Sequence, residues 1–227
     1  MNLILRQLTS NKFPSSATKK CAWNIESFIN VKHPSYKTDE TINNVIQSMT
    51  QKIKDATATS FEYSQSEPNL HVIYRQVLDA TIQNAKKNAC VVYEELFKNF
   101  YDKIEGFNSD DGKPPFWRLK PDFVLLWKKE NLTFSPALTC EIKRKDNVNH
   151  ELQLGKYLVA FGELSCRNIH YGILPDPKSV IFMKYDKSRD PWSALSISEP
   201  LICDVYKESY ALRRFIAFNL LAVNEEL

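Results

Sequence analysis

The sequence predicts an α/β protein with a mixed central β-sheet flanked by α-helices. Two apolar segments rich in strand-forming residues, 117–127 and 137–142, are separated by a short polar turn. Apolar residues at helical spacing precede this pair at 67–87 and follow it at 150–164. The chain has 227 residues, of which 43% are hydrophobic, so it is long and apolar enough to bury the core of one such domain.

Residues 1–60 are predicted to form a helical or irregular extension, and residues 61–227 to form the main domain. Segment 9–20 is rich in Ser, Thr and Lys, a composition typical of a loop. Apolar residues from Ile42 to Ile53 recur at helical spacing and predict a helix within 39–57. This helix either covers the core or belongs to a separate accessory segment.

The main domain is predicted to begin with a helix at 67–87, because Ser66-Glu67-Pro68 places a capping residue and a proline at a helix start. The next apolar segment, 89–104, is interpreted as a second helix, although residues 90–93 could equally form a strand. The polar segment 108–115, NSDDGKPP, is predicted to be a loop.

The segments WRLKPDFVLLW (117–127) and ALTCEI (137–142) are predicted to pair as an antiparallel hairpin. The remaining elements are predicted in the following order: helix 150–164, strand 168–174, strand 180–185 and a final amphipathic helix 208–223.

The composition argues against several classes of protein. With five glycines and neither GxxxxGK[ST] nor GxGxxG, the chain has no glycine-rich phosphate loop. Its five cysteines include no CxxC pair, which argues against a zinc ribbon or a disulfide framework and favours a reducing, intracellular compartment. No apolar run approaches the roughly 18 residues of a membrane span. The net charge of +3 permits nucleic-acid binding without requiring it.

Three polar residues lie at one end of the predicted hairpin. Asp122 follows Pro121 in the first strand, and Glu141 and Lys143 lie at the end of the second. Residues i and i+2 of a strand share a face, so Glu141 and Lys143 point together while Ile142 points to the core. We expect the hairpin to bring Asp122 beside Glu141.

Two carboxylates on neighbouring strands predict a site for a hard divalent cation such as Mg²⁺ or Mn²⁺. Such an ion lowers the pKa of a bound water and holds phosphate oxygens. Lys143 is placed to orient an attacking water or to stabilise charge on a phosphate.

These residues carry a family resemblance. Pro121-Asp122 followed by Glu141-Ile142-Lys143 resembles the PD-(D/E)xK signature of restriction-endonuclease-like nucleases. Gln153-Leu154-Gly155-Lys156-Tyr157 resembles the QxxxY motif on the next helix in the lambda-exonuclease-like branch. The resemblance covers roughly residues 66–185 and implies a restriction-endonuclease-like core. It also implies metal-dependent hydrolysis of phosphodiester bonds, with DNA as the expected partner.

The resemblance also implies roles for individual residues. Asp122 and Glu141 would hold the metal, the carbonyl of Ile142 would add a ligand, and Lys143 would assist the nucleophile. On the following helix, Gln153 would support the site and Tyr157 would help to position the substrate. Basic residues near these motifs are assigned to nucleic-acid binding: Lys120, Arg144, Lys145 and Lys156.

Many members of this superfamily place an acidic ligand on the first core helix, and Glu67 is the residue assigned here. It resembles the acidic residue that opens this helix in some effector-type members, including Crinkler-like nuclease domains. Glu94 and Glu95 remain alternatives. His71 and His170 are interpreted as residues that pack or form hydrogen bonds locally.

Two other interpretations remain open. The chain could keep the nuclease fold as a catalytically inactive DNA-binding module, or act as a protein-interaction module of a larger effector. For Arg144 and Lys145, a solvated strand end is the simpler interpretation. A nuclear location, in the host cell for an effector, is compatible with the expected DNA partner.

Overall fold

The protein is described by a computed structural model over nine segments: 21–57, 67–86, 88–93, 120–129, 133–143, 148–164, 167–176, 178–189 and 195–224. The strands of these segments are β1 (Cys21–Trp23), β2 (Ala89–Tyr93), β3 (Phe123–Lys128), β4 (Phe134–Cys140), β5 (Ile169–Pro175), β6 (Ser179–Asp186), β7 (Leu195–Ser198) and β8 (Leu201–Ile202). The helices are α1 (Ile25–Lys32), α2 (Glu40–Thr57), α3 (Glu67–Gln83), α4 (Val148–Leu164) and α5 (Tyr210–Asn224).

All of the described strands belong to one mixed sheet with the order β1-β7-β6-β5-β4-β3-β2, and β8 pairs with β6. The β1–β7 and β4–β5 pairs are parallel, and the other neighbours are antiparallel. The predicted hairpin is confirmed as β3 and β4, whose ladder contains one irregularity between Leu125 and Leu126. The predicted class, an α/β protein with a mixed sheet flanked by helices, is also confirmed.

The two faces of the sheet bury two separate cores, because successive strand residues point to opposite faces. Helix α4 packs on β4, β5 and β6, where Leu174 and Met183 join the smaller core. Their neighbours Ile173 and Phe182 belong to the larger core, which α1, α2, α3 and α5 cover. None of the helices in the described segments is long and apolar enough to cross a membrane.

Two glycines lie at the contact between α4 and the sheet, where a larger side chain would not fit. A Cβ atom on Gly172 of β5 would lie 2.7 Å from a methyl carbon of Leu158. A Cβ atom on Gly162 of α4 would lie 2.4 Å from the ring of Tyr185 on β6. These close contacts fix α4 on the sheet and so determine where its polar side chains lie.

The helix predicted for 89–104 is wrong at its beginning, where Ala89–Tyr93 forms strand β2. This strand pairs antiparallel with the outer edge of β3, from Ala89 opposite Trp127 to Tyr93 opposite Phe123. A short apolar run fits either structure locally, and pairing with β3 determines the outcome. Residues 94–104 lie outside the described segments.

Part of the N-terminal extension shares the core of the main domain. The predicted helix is confirmed as α2, and its Val45 and Met49 are fully buried in the larger core. Strand β1, which the sequence analysis did not predict, extends the sheet by pairing with β7. Residues 1–20 lie outside the described segments.

Candidate active site

The end of the β3–β4 hairpin places Asp122 beside Glu141. The last pair of the ladder is Phe123 opposite Cys140, so the next residues toward this end are Asp122 and Glu141. The backbone of β4 continues past Cys140 along β5, since Glu141 N–H donates to the Ile173 carbonyl at 3.1 Å. Both carboxylates therefore lie on ordered backbone, one directly before β3 and the other directly after β4.

Each carboxylate is held by the backbone of the opposite strand. The Ile142 N–H donates to Asp122 Oδ2 at 2.5 Å, and the Asp122 N–H donates a longer bond to Glu141 Oε2 at 3.4 Å. Glu141 is 1% exposed and Asp122 is 9% exposed. The chain thus orders two acidic groups at one buried location, where charge is costly without compensation.

The pKa of the Glu141 carboxyl reflects the cost of burying its charge. Burial, and after it the charge of Asp122, raise the pKa of the Glu141 carboxyl from 4.5 to about 7. A hydrogen bond from Lys143 and the charge of Lys143 act in the opposite direction without cancelling the rise. Positive charge at this position would favour the ionised form of Glu141.

Lys143 lies on the same side of the strand as Glu141. Its Nζ is 2.9 Å from Glu141 Oε1, and its side chain is 17% exposed. Between them, Ile142 is fully buried in the larger core, as strand alternation predicts. The ammonium therefore neutralises part of the carboxylate charge and remains partly open to solvent.

Helix α4 contributes Gln153 and Tyr157 to the same end of the sheet. Gln153 Nε2 donates to the Tyr157 hydroxyl at 2.9 Å, and that hydroxyl donates to the Lys120 carbonyl at 3.3 Å. Burial, with smaller contributions from Glu141 and Asp122, raises the pKa of Tyr157. The pair thus links α4 to the segment that leads into Asp122.

His71 is a residue of this site that the sequence analysis missed. Its Nε2 lies 3.5 Å from Asp122 Oδ1, and its ring lies over Phe123 with the centroids 5.6 Å apart. A signal was present in the sequence, because His71 follows Glu67 by four residues and so shares its face of α3. His170, by contrast, is fully buried and contacts Thr139 Oγ1 at 3.0 Å, so it packs locally as predicted.

Of the other residues assigned from the sequence, the structure describes the side chains of two, Lys120 and Lys156. The Lys120 side chain is exposed, and Lys156 is half-buried on α4. Glu67 is the first residue of α3, and its side chain lies outside the described part of the structure. The same holds for the whole of four further residues: Glu94, Glu95, Arg144 and Lys145.

The donor set fits a hard divalent cation that is only partly enclosed by protein. Within the described segments, no group of three His, Cys, Asp or Glu side chains is arranged to hold a metal ion. Mg²⁺ does not need such a group, because it commonly binds through one or two carboxylates together with waters and substrate phosphates. Asp122 and Glu141 meet that requirement, and the raised pKa of Glu141 gives a reason for cation binding.

We expect that His71→Ala weakens Mn²⁺ binding by about tenfold, because His71 orients the Asp122 carboxylate from outside the donor set. Titration calorimetry and Mn²⁺ electron paramagnetic resonance measure this affinity without any assay of activity. His33→Ala is a matched control, because His33 Nε2 also lies 3.5 Å from an aspartate, Asp39. This second pair lies in the connection between α1 and α2. Equal Mn²⁺ affinities of the two variants would show that His71 does not contribute to Mn²⁺ binding.

Neither a comparison with protein-family models nor a comparison with curated proteins finds a match for this chain.

Proposed function

We propose that this protein is a metal-dependent nuclease of the PD-(D/E)xK type, which hydrolyses phosphodiester bonds in DNA with Mg²⁺ or Mn²⁺. The observation that carries the proposal is the buried pair of Asp122 and Glu141, each held by the backbone of the other's strand. Lys143 completes the set through its contact with Glu141 at 2.9 Å.

A purely structural role accounts poorly for this pair. Two buried carboxylates repel each other, and an apolar pair of similar size would stabilise the fold better. Burial, and after it the charge of Asp122, raise the pKa of Glu141, as expected for such a pair. A bound divalent ion would reverse it and would supply water activation and charge neutralisation at a phosphate.

Lys143 has the properties of a group that acts on the substrate. An ammonium cannot ligate a cation, so Lys143, which offsets part of the Glu141 charge, would act on an anionic substrate or on the nucleophile when a metal is bound. Its partial exposure of 17% leaves room for a phosphate to approach. We assign Lys143 to stabilising the charge that develops on the scissile phosphate.

Gln153 and Tyr157 act as positioning residues. The Tyr157 hydroxyl fixes the Lys120 carbonyl, two residues before Asp122, and Gln153 fixes that hydroxyl in turn. This chain of bonds limits the movement of the segment that carries Asp122. Lys120 itself is exposed, and we assign its side chain to a phosphate of the bound strand.

The order of the elements supports a restriction-endonuclease-like core. Helix α3 precedes the strands, β3 leads from Asp122, β4 ends at the ExK motif, α4 carries QxxxY, and β5 follows. The antiparallel β3–β4 pair and the parallel β4–β5 pair are compatible with that core.

A cleavage assay on single-stranded DNA, duplex DNA and RNA tests the proposal. We expect hydrolysis of DNA with Mg²⁺ or Mn²⁺ and none with a chelator, because in the proposed mechanism the cation both activates the water and neutralises charge at the phosphate. Measuring single-turnover rates at rising metal concentration gives the apparent metal affinity. Cleavage that persists at full rate in the chelator would contradict the proposal.

The inactive DNA-binding module is the second candidate, because the described residues provide two carboxylates and no third acidic ligand. It predicts binding of DNA without hydrolysis under every metal condition. Binding that is unaffected by Asp122→Asn, together with no detectable cleavage by the unaltered protein, would favour this candidate.

A further inference from the structure

The turn between β8 and α5 exposes an aromatic ring together with a basic side chain. Tyr206 is 52% exposed, and the Lys207 side chain is 82% exposed. Large aromatic side chains usually bury their rings, so an exposed tyrosine on an ordered turn is a candidate contact for a ligand. We call Tyr206, Lys207 and the nearby exposed Lys178 the Tyr206 surface.

Hydrogen bonds connect this surface to the candidate active site. The Lys143 N–H donates to the Pro175 carbonyl at 3.1 Å, and the next residue, Asp176, begins the turn into β6. That turn includes Lys178, whose carbonyl accepts from the Cys203 N–H at 2.9 Å. The Tyr206 surface therefore lies toward the end of the sheet at which β4 leads into Lys143.

Helix α3 ties the same region to the site from the other side. Tyr74 follows His71 by three residues, and its hydroxyl donates to the Asp176 carbonyl at 3.3 Å. Burial raises the pKa of Tyr74, and Cys203 and Tyr206 are close enough to add to that rise. Tyr74 thus links the helix that carries His71 to the Asp176 turn, and Tyr206 lies near enough to Tyr74 to act on its pKa.

The turn is held in place before any ligand arrives. Asp204 Oδ1 accepts from the Tyr206 N–H at 2.9 Å, and the Asp204 carbonyl accepts from the Lys207 N–H at 3.3 Å. At the start of α5, Ser209 Oγ accepts from the Leu212 N–H at 3.2 Å. A turn whose backbone is already ordered loses less conformational entropy when a ligand stacks on its tyrosine.

The chemistry of this surface fits a strand with unpaired bases. Single-stranded nucleic acids bind where aromatic rings stack on bases and basic side chains contact phosphates. Tyr206 offers the ring, and Lys178 and Lys207 offer the charge. Three acidic groups of these turns are already engaged. Asp204 lies 3.8 Å from Lys207, and Glu208 pairs with Arg213. The Asp176 carboxylate accepts from the Lys178 N–H at 2.7 Å and from the Ser179 hydroxyl at 2.6 Å.

We infer that the Tyr206 surface binds a single-stranded stretch of the nucleic acid adjacent to the scissile phosphate. One base stacks on Tyr206, and Lys178 and Lys207 contact the phosphates beside it. The inference deepens the proposed nuclease function, because it names the form of the substrate. Duplex DNA, whose bases are already stacked and paired, would use this surface poorly.

Fluorescence anisotropy in a chelator tests the inference without cleavage. The probes are a labelled single-stranded oligothymidylate and a labelled duplex, each titrated with the full chain. We expect Tyr206→Ala to weaken oligothymidylate binding by about tenfold, as loss of one stacked base does. Tyr206→Phe should bind as the unaltered protein does, since the ring is retained.

Arg189→Ala is the matched control. Arg189 is also an exposed cation paired with an aspartate three residues away, but it follows the opposite end of β6. Lys207→Ala should weaken binding and reduce its salt dependence, whereas Arg189→Ala should do neither. Equal binding by Tyr206→Ala and Arg189→Ala, or no oligothymidylate binding by the unaltered protein, would overturn the inference.

The two proposals fail separately. A protein that binds oligothymidylate through Tyr206 but never hydrolyses DNA would refute the nuclease and leave the surface in place. A protein that hydrolyses DNA with unchanged oligothymidylate affinity in Tyr206→Ala would refute the surface alone. Stronger effects of Tyr206→Ala on duplex than on oligothymidylate would also overturn the inferred single-stranded form.

Discussion

Replacing Asp122 with asparagine is expected to lower the rate of DNA cleavage by about a thousandfold or more, since cation binding supplies several kcal/mol to phosphoryl chemistry. The substitution preserves the size of the side chain, and its amide oxygen can still accept from the Ile142 N–H, which now donates at 2.5 Å. It removes the negative charge on which the cation depends. The expected defect is therefore chemical, with the fold retained.

The substitution Lys143→Met is expected to separate cleavage of DNA from binding of the metal ion. We expect a comparable loss of cleavage with metal affinity retained or tightened, because the ammonium repels a cation beside Glu141 and cannot ligate it. Single-turnover rates and Mn²⁺ affinities, measured on Asp122→Asn and Lys143→Met together, give the pattern. Full activity in the purified Asp122→Asn protein would place the cleavage elsewhere or in a contaminant.

Much of the candidate site follows from local sequence rules. Strand alternation places Glu141 and Lys143 on one face, and the structure shows their side chains in contact at 2.9 Å. Hairpin pairing brings Asp122 opposite Glu141, although both lie just beyond the ends of the regular strands. Helical spacing of four likewise predicts that Gln153 and Tyr157 share one face of α4, where the structure shows a hydrogen bond between them.

The remaining features depend on contacts that local rules cannot supply. His71 reaches Asp122 because α3 packs on β2 and α5, an arrangement set by the larger core as a whole. Strand β1 has three residues, and its partner β7 lies far along the chain, so neither has a strong signal of its own. The short apolar sequence of β2 is compatible with a helix or a strand, and only its pairing with β3 determines that it is a strand.

The metal-free protein is expected to lose stability through Glu141 as the pH rises. The folded pKa, about 7, lies above the ordinary 4.5, so the folded state holds this proton more tightly than the unfolded state. Stability gained from the proton is present below the unfolded pKa and is lost as the pH rises through the folded one. This loss is about 2 kcal/mol between pH 5 and pH 8.

His170 acts in the opposite direction and must be separated from Glu141. Burial, with the charge of Arg167, lowers the pKa of His170 from 6.5 to about 3, so its contribution is lost as the pH falls below 6.5. The comparison is therefore between the unaltered protein and Glu141→Gln, both of which retain His170. We expect the difference in their free energies of unfolding to change by about 2 kcal/mol over the same pH range.

Urea unfolding in a chelator at about pH 5 and at about pH 8 measures this difference, and Mg²⁺ then links it to the proposed function. Among the described residues, Asp122 and Lys143 act on the Glu141 carboxyl, the Tyr157 hydroxyl is coupled to it more weakly, and His71 lies 3.5 Å from Asp122. Because protons compete with the cation for the carboxylates, Mg²⁺ should stabilise the unaltered protein more at pH 8 than at pH 5. It should stabilise Glu141→Gln little at either pH. Parallel pH profiles of the two proteins in chelator would show that Glu141 titrates normally, and with it the electrostatic reason for a cation here would be lost.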